Sequence, residues 1–163
     1  MPRFADALRA LNSLKDEGLI EDYAVAGAMA LAFWTEPVPT YDLDVLVFLP
    51  PTGGPLVTLE PLYAWAARKG YPARDEHIFV AGVPTQFLPS PSKLADEAVR
   101  SAEVLEYEGI PVRVVRPEYL IALYSEPAAR SAKRRERAAA LLEWPDLNRE
   151  LLDEILGRHG FAL

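Results

Sequence analysis

Residues 40–49, Thr-Tyr-Asp-Leu-Asp-Val-Leu-Val-Phe-Leu, constrain the fold more than any other stretch of the chain. Alternation with a period of two puts Leu43, Val45, Val47 and Leu49 on one face and Asp42, Asp44, Leu46 and Phe48 on the other. Apolar residues on both faces demand cover on both, so the segment is predicted to be a central, buried strand. It carries two carboxylates on one face, with Cα atoms ~6–7 Å apart. At ~5 Å and an effective dielectric of ~20, the two charges repel by about 3 kcal/mol. A divalent cation, a basic partner or a shared proton would offset that. Magnesium fits, because it takes oxygen ligands and is commonly held by one or two carboxylates plus phosphates. The plainer alternative places both acids at the solvent-facing mouth of the strand with no ligand.

The elements around this strand follow from periodicity. Phe4, Leu8, Leu11 and Leu14 recur at spacings of four and three, one face of a helix, and Gly18 is placed to end it. Residues 23–26 suit a short buried strand. Residues 28–34 are strong helix formers running to Pro37. Thr58 is predicted to cap a helix ending at Lys69, before Gly70. Residues 78–81 and 84–88 read as a hairpin about Gly82-Val83, and 104–107 and 110–115 as a second about Glu108-Gly109. A helix is expected over 92–101 between them. Pro117 opens a further helix, and two more follow at about 128–143 and 148–158. The expected class is α+β, with a mixed sheet flanked by helices and a helical C-terminal third.

The 163 residues predict a single domain, with an α/β core at about 1–116 and C-terminal helices at about 117–163. There is no cysteine, which excludes disulfides, thiol catalysis and thiolate metal sites and fits a cytoplasmic location. Lys and Arg number 17 against 24 Asp and Glu, a net charge of −7, which argues against wrapping duplex DNA. The apolar run 24–34 contains Gly27 and falls short of the ~20 residues that span a bilayer, so no membrane segment is expected.

Before the acidic strand comes strand, then Gly27-Ala28, then helix. A helix start opening on glycine offers free N–H groups and the positive end of the helix dipole to an anion, and glycine admits close approach to the backbone. A phosphate cradle followed by a carboxylate pair on the next strand makes a candidate site for a nucleoside triphosphate with magnesium.

The run 24–32, Ala-Val-Ala-Gly-Ala-Met-Ala-Leu-Ala, followed by Pro39-Thr40-Tyr41-Asp42-Leu43-Asp44-Val45, resembles the nucleotidyltransferase superfamily. The signature there is an apolar residue, Gly, Gly or Ser, a spacer, then Asp-apolar-Asp. The segment Val114-Val115-Arg116-Pro117-Glu118-Tyr119-Leu120 is similar to the small prokaryotic branch that includes the AbiEii-like toxin nucleotidyltransferases. Residues 130–137 fall where that branch carries a basic helix with a Lys-Asp pair. The resemblance implies magnesium-dependent transfer of a nucleoside monophosphate from a triphosphate to a hydroxyl on RNA, protein or a small molecule. It assigns Asp42 and Asp44 to metal and catalysis, and Gly27, Ala28, Thr40 and Lys133 to the nucleotide.

Four positions depart from the pattern. Ala28 replaces the second Gly or Ser, Val38 stands where an Arg is common, and Lys133-Arg134 replaces Lys-Asp. In the run Thr85-Gln86-Phe87-Leu88, Gln86 takes the place of a third carboxylate that activates the attacking hydroxyl. Glutamine brings no charge and takes no proton near neutral pH. Asp75 or Glu76, just before that hairpin, are the alternative acids. The second function is therefore an inactive member of the fold, retained for nucleotide or protein binding in a toxin–antitoxin or defence pair. A third, a sugar-nucleotide transferase using Asp-x-Asp, generally needs a longer chain.

Other features point less far. Arg130, Arg134 and Arg137 fall on one helical face, suited to triphosphate or RNA, or simply solvated. His77 and His159 lack metal-site spacing. Trp34, Trp65 and Trp144 read as core or interface residues. Gly53-Gly54 has no following Gly-Lys-Ser/Thr and is no P-loop.

Overall fold

The computed structural model describes residues 3–35, 42–51, 58–127 and 130–163. The expected Val38 and Thr40 contributions lie outside these residues. The described elements are α1 (Phe4–Asp16), β1 (Asp22–Ala26), α2 (Gly27–Trp34), β2 (Leu43–Phe48), α3 (Glu60–Lys69), β3 (Ala73–Arg74), β4 (His77–Val80), β5 (Val83–Pro89), α4 (Lys93–Arg100), β6 (Glu103–Tyr107), β7 (Ile110–Val114), α5 (Pro117–Tyr124), α6 (Ala132–Leu142) and α7 (Arg149–His159). The class is α+β, as the periodicities imply.

One seven-stranded mixed sheet runs β3-β4-β5-β2-β1-β7-β6, with the acidic strand at its centre. β2 pairs antiparallel with β1 and parallel with β5, and β1 pairs parallel with β7. Leu43, Val45 and Val47 are 0–1% exposed on one face of β2. That face is covered by α1, whose Asn12 accepts a hydrogen bond from Tyr23, and by α3, whose Leu62 lies against Ile78 and Phe87. The other face carries Asp44, Leu46 and Phe48. It is covered by α5, whose Leu120 and Leu123 face Leu46 and Leu88, and by α4, whose Arg100 stacks over Phe48 at 5.4 Å.

Several boundaries differ from the sequence reading. The strand predicted at 40–49 is described as strand only from Leu43, so Asp42 precedes it. The turn of the β4–β5 hairpin is Ala81-Gly82, both at positive φ (50° and 83°), not Gly82-Val83. The two-residue edge strand β3 was too short to show a period. α3 starts at Glu60, whose N–H bonds the Thr58 hydroxyl across Leu59 at the N-cap position.

The C-terminal helices are tied to the helix that opens at Gly27. α2 is apolar on every side (Gly-Ala-Met-Ala-Leu-Ala-Phe-Trp), with Ala30 and Leu31 buried and the rest half-buried. Its Trp34 donates Nε1–H to the Val115 carbonyl at 2.8 Å and meets Trp144 edge-on at 5.5 Å. Glu97 on α4 accepts from Arg158 at 2.5 Å and contacts His159 Nε2 at 2.8 Å, joining α4 to the end of α7.

Candidate functional site

The site is built where β1 turns directly into α2. Ala26 ends the strand with extended dihedrals, and Gly27 starts the helix at φ +62°. Ala26 at the N-cap offers no side-chain hydrogen bond to the first turn of α2, and Gly27, Ala28 and Met29 are half-buried, so the backbone N–H groups there can meet a ligand.

Asp44 lies against this turn. It is level with Ala26 on β1 and with Gln86 on β5. A Cβ built on Gly27 would sit 2.5 Å from Asp44 Oδ2 and 3.2 Å from its Cβ and Cγ. The contact explains the glycine: any side chain at 27 would collide with the acid. Burial raises the Asp44 pKa above the usual carboxylate value, and the charge of Asp42 raises it further. Asp42 is exposed just ahead of the strand. The two acids of the sequence motif are therefore within electrostatic reach of one another, and Asp44 lies against the turn.

Basic side chains oppose that repulsion: His77, Arg137 and Arg134 each draw the Asp44 pKa back down. Arg134 lines a cavity of about 210 Å³ together with Gly27, Asp44, Leu46, Leu88 and Tyr124. Its guanidinium lies 5.8 Å from the Tyr124 ring centre. The Tyr124 hydroxyl is buried, which raises its pKa, while Arg137 and Arg134 pull it back down. Lys133, assigned to the nucleotide by resemblance, is exposed on α6 and does not line this cavity. Arg130 precedes α6 and is turned away, bonding the Ser125 and Ala162 carbonyls. Of the three arginines expected on one helical face, Arg134 and Arg137 act on the charge of Asp44.

His77 was not singled out by the sequence. The antiparallel register that pairs Ile78 with Thr85 puts His77 level with Gln86. The four residues His77, Gln86, Asp44 and Ala26 thus form a row across β4, β5, β2 and β1, on the face opposite buried Ile78, Thr85 and Leu43. Asp75 and Glu76 are exposed in the β3–β4 turn at the sheet edge, two strands from β2. Among the described residues no three His, Asp or Glu side chains gather as a metal site. Among the described residues no helix is long and apolar enough to cross a membrane.

No family sequence model matches the chain, and no curated protein sequence matches it. Solved structures do. The antibiotic-resistance factor ANT(2'')-Ia, in complex with adenylyl-2''-tobramycin, is 17% identical, with a TM-score of 0.57 over 96% of this chain and 97% of that one. In solution the same factor gives 0.55 over 94% and 89%. An antigenic nucleotidyltransferase-like protein from Paracoccidioides brasiliensis is 15% identical, with 0.55 over 97% and 88%. Likeness at this level of identity establishes the architecture: the chain has the nucleotidyltransferase fold.

Proposed function

We propose that this chain binds a nucleoside triphosphate with magnesium between the 26–28 turn and the Asp42–Asp44 pair, and slowly transfers the nucleoside monophosphate to a hydroxyl acceptor. The observation that carries this reading is the packing of Gly27 on Asp44, which sets an uncapped helix start against a carboxylate pair. Two carboxylates alone make an incomplete metal site. Their donor chemistry fits a magnesium ion whose remaining ligands are phosphate oxygens and water, with Asp42 and Asp44 as the protein ligands. When bound, that ion would neutralise charge developing on the phosphates. The amides of Gly27 and Ala28 would orient the phosphates, and Arg134 and Arg137 would face them from α6. In the transfer, the acceptor oxygen bonds to the α-phosphorus and the bond from that phosphorus to its bridging oxygen breaks. Pyrophosphate leaves with the electron pair, and the hydroxyl proton passes in the end to solvent water. The 114–120 run supports membership of the small prokaryotic branch.

Gln86 favours a second reading, nucleotide binding without transfer, because the residue level with Asp44 holds no carboxylate. Thermal shift with ATP, GTP, CTP and UTP, each with and without magnesium, tests binding. Labelled triphosphates incubated with bulk tRNA, protein or small alcohols test transfer. Label moved by the wild type and lost in Asp42→Asn supports transfer. Magnesium-dependent binding with no label moved supports the second reading, and no binding sinks both.

A further inference from the structure

We propose that His77 accepts the proton of the attacking hydroxyl, in the role left open by Gln86; this rests on the transfer reading above. The row His77–Gln86–Asp44 carries the argument. Adjacent strands are ~4.8 Å apart, so His77 and Asp44 flank Gln86 with Cα atoms roughly 10 Å from one another. An acceptor hydroxyl seated over Gln86 lies between the imidazole on one side and the carboxylate beside the phosphate cradle on the other. The Gln86 amide can hydrogen-bond that hydroxyl and orient it, but cannot take its proton. Histidine is the residue type best suited to exchanging a proton near neutral pH.

The register sets His77 on the face of the sheet that carries Gln86 and Asp44. It is half-buried, and Ile78, its neighbour along the strand, points the other way toward α3. The charged groups around it are Arg74, its partner on β3, Asp75 and Glu76 in the preceding turn, and Asp44 across Gln86. His77 is close enough to Asp44 to act on its carboxylate. In the balanced step, the O–H bond breaks with its proton going to a ring nitrogen. The oxygen's electron pair forms the new bond to the α-phosphorus, and pyrophosphate carries off the pair from the broken bridge. His77 then returns the proton to water.

The test is the pH profile of label transfer from α-labelled ATP with magnesium, compared across wild type, His77→Asn and His77→Gln. The expected result is a loss of roughly 10²-fold or more in kcat, the range of general-base contributions, with KM for ATP within about twofold. The limb of the pH profile that depends on a deprotonated base should flatten in both variants, and added imidazole should restore part of the rate to His77→Asn. Equal rates and an unchanged profile in both variants overturn the proposal while leaving the transfer reading intact. A wild type that binds ATP but moves no label, even with 100 mM imidazole, on the order of saturating a small-molecule base, overturns both.

Discussion

Asp44 occupies the space that a side chain on Gly27 would need, with Oδ2 2.5 Å from where a Cβ would be. The backbone at 27 is also left-handed, at φ +62°, which costs an L-residue about 1–2 kcal/mol. Gly27→Ala should therefore destabilise by roughly 2 kcal/mol or more, a fall in Tm of about 4–8 °C for a chain of this size. It should also weaken magnesium-ATP binding, because the acid and the helix start must separate. Differential scanning calorimetry with and without ligand measures both; an unchanged Tm would contradict the packing.

Asp44→Asn separates stability from function. Burial and the Asp42 charge raise the Asp44 pKa in the folded protein. The folded state thus holds the proton more tightly than the unfolded chain, whose carboxyl titrates near 3.8. Stability falls as pH rises from that value through the folded pKa, and the deficit persists at pH 7. The amide variant should be more stable than wild type at pH 7 and equal to it near pH 3, read from urea midpoints. Transfer should drop by about a hundredfold, a loss of about 3 kcal/mol in the transition state.

The two arginines of α6 that face Asp44 should matter more than the lysine beside them. Arg137→Ala is expected to weaken ATP binding about tenfold, near 1.4 kcal/mol, and to flatten its salt dependence. Lys133→Ala, at an exposed position, should change Kd by less than about twofold. Isothermal titration at two salt concentrations decides; the reverse ranking would restore the assignment made by resemblance.

Gln86→Asp adds a third carboxylate level with Asp44. Without magnesium it should push the Asp44 pKa up further and lower Tm at pH 8. With magnesium and ATP it should recover the lost stability and raise transfer by tenfold or more, about 1.4 kcal/mol. A variant that gains stability without magnesium would show that the row is not crowded with negative charge.

Away from the site, Glu97 fastens α4 to α7. Its burial works against ionisation, but the hydrogen bonds from Arg158 and His159 outweigh it and hold the carboxyl below its ordinary 4.5. The stability this contributes is present above that value and is lost as pH falls through the depressed folded pKa. Because the pair is partly exposed, Glu97→Gln should cost at most about 1 kcal/mol at pH 7, and nothing near pH 2, by urea titration.

The sheet and its covering helices were legible because their signals are local. Alternating β2, the Pro117 helix start and the Glu108-Gly109 turn each need only a few adjacent residues. The acid pair and Gly27 were legible for the same reason, as both lie in one strand–helix–strand unit. What the sequence hid is long-range register. A hairpin turn at Gly82-Val83 in place of Ala81-Gly82 slides the pairing by two residues and sets His77 level with Leu88, so the row through Gln86 disappears. The resemblance named Lys133, while helical spacing put Arg130, Arg134 and Arg137 together on one face. A neighbouring position is rotated about 100°, and only the packing of α6 on α5 fixes which side faces the acids.

The edge-on meeting of Trp34 with Trp144 has a practical consequence for anyone dissecting this chain. The indole that closes α2 is shared between the sheet, through Val115, and the last quarter of the polypeptide. A fragment cut at residue 116 would keep both aspartates and the glycine, yet leave an all-apolar helix without its roof. Such a fragment should be recovered as aggregate, and its silence in an assay would say nothing about the acids it still carries.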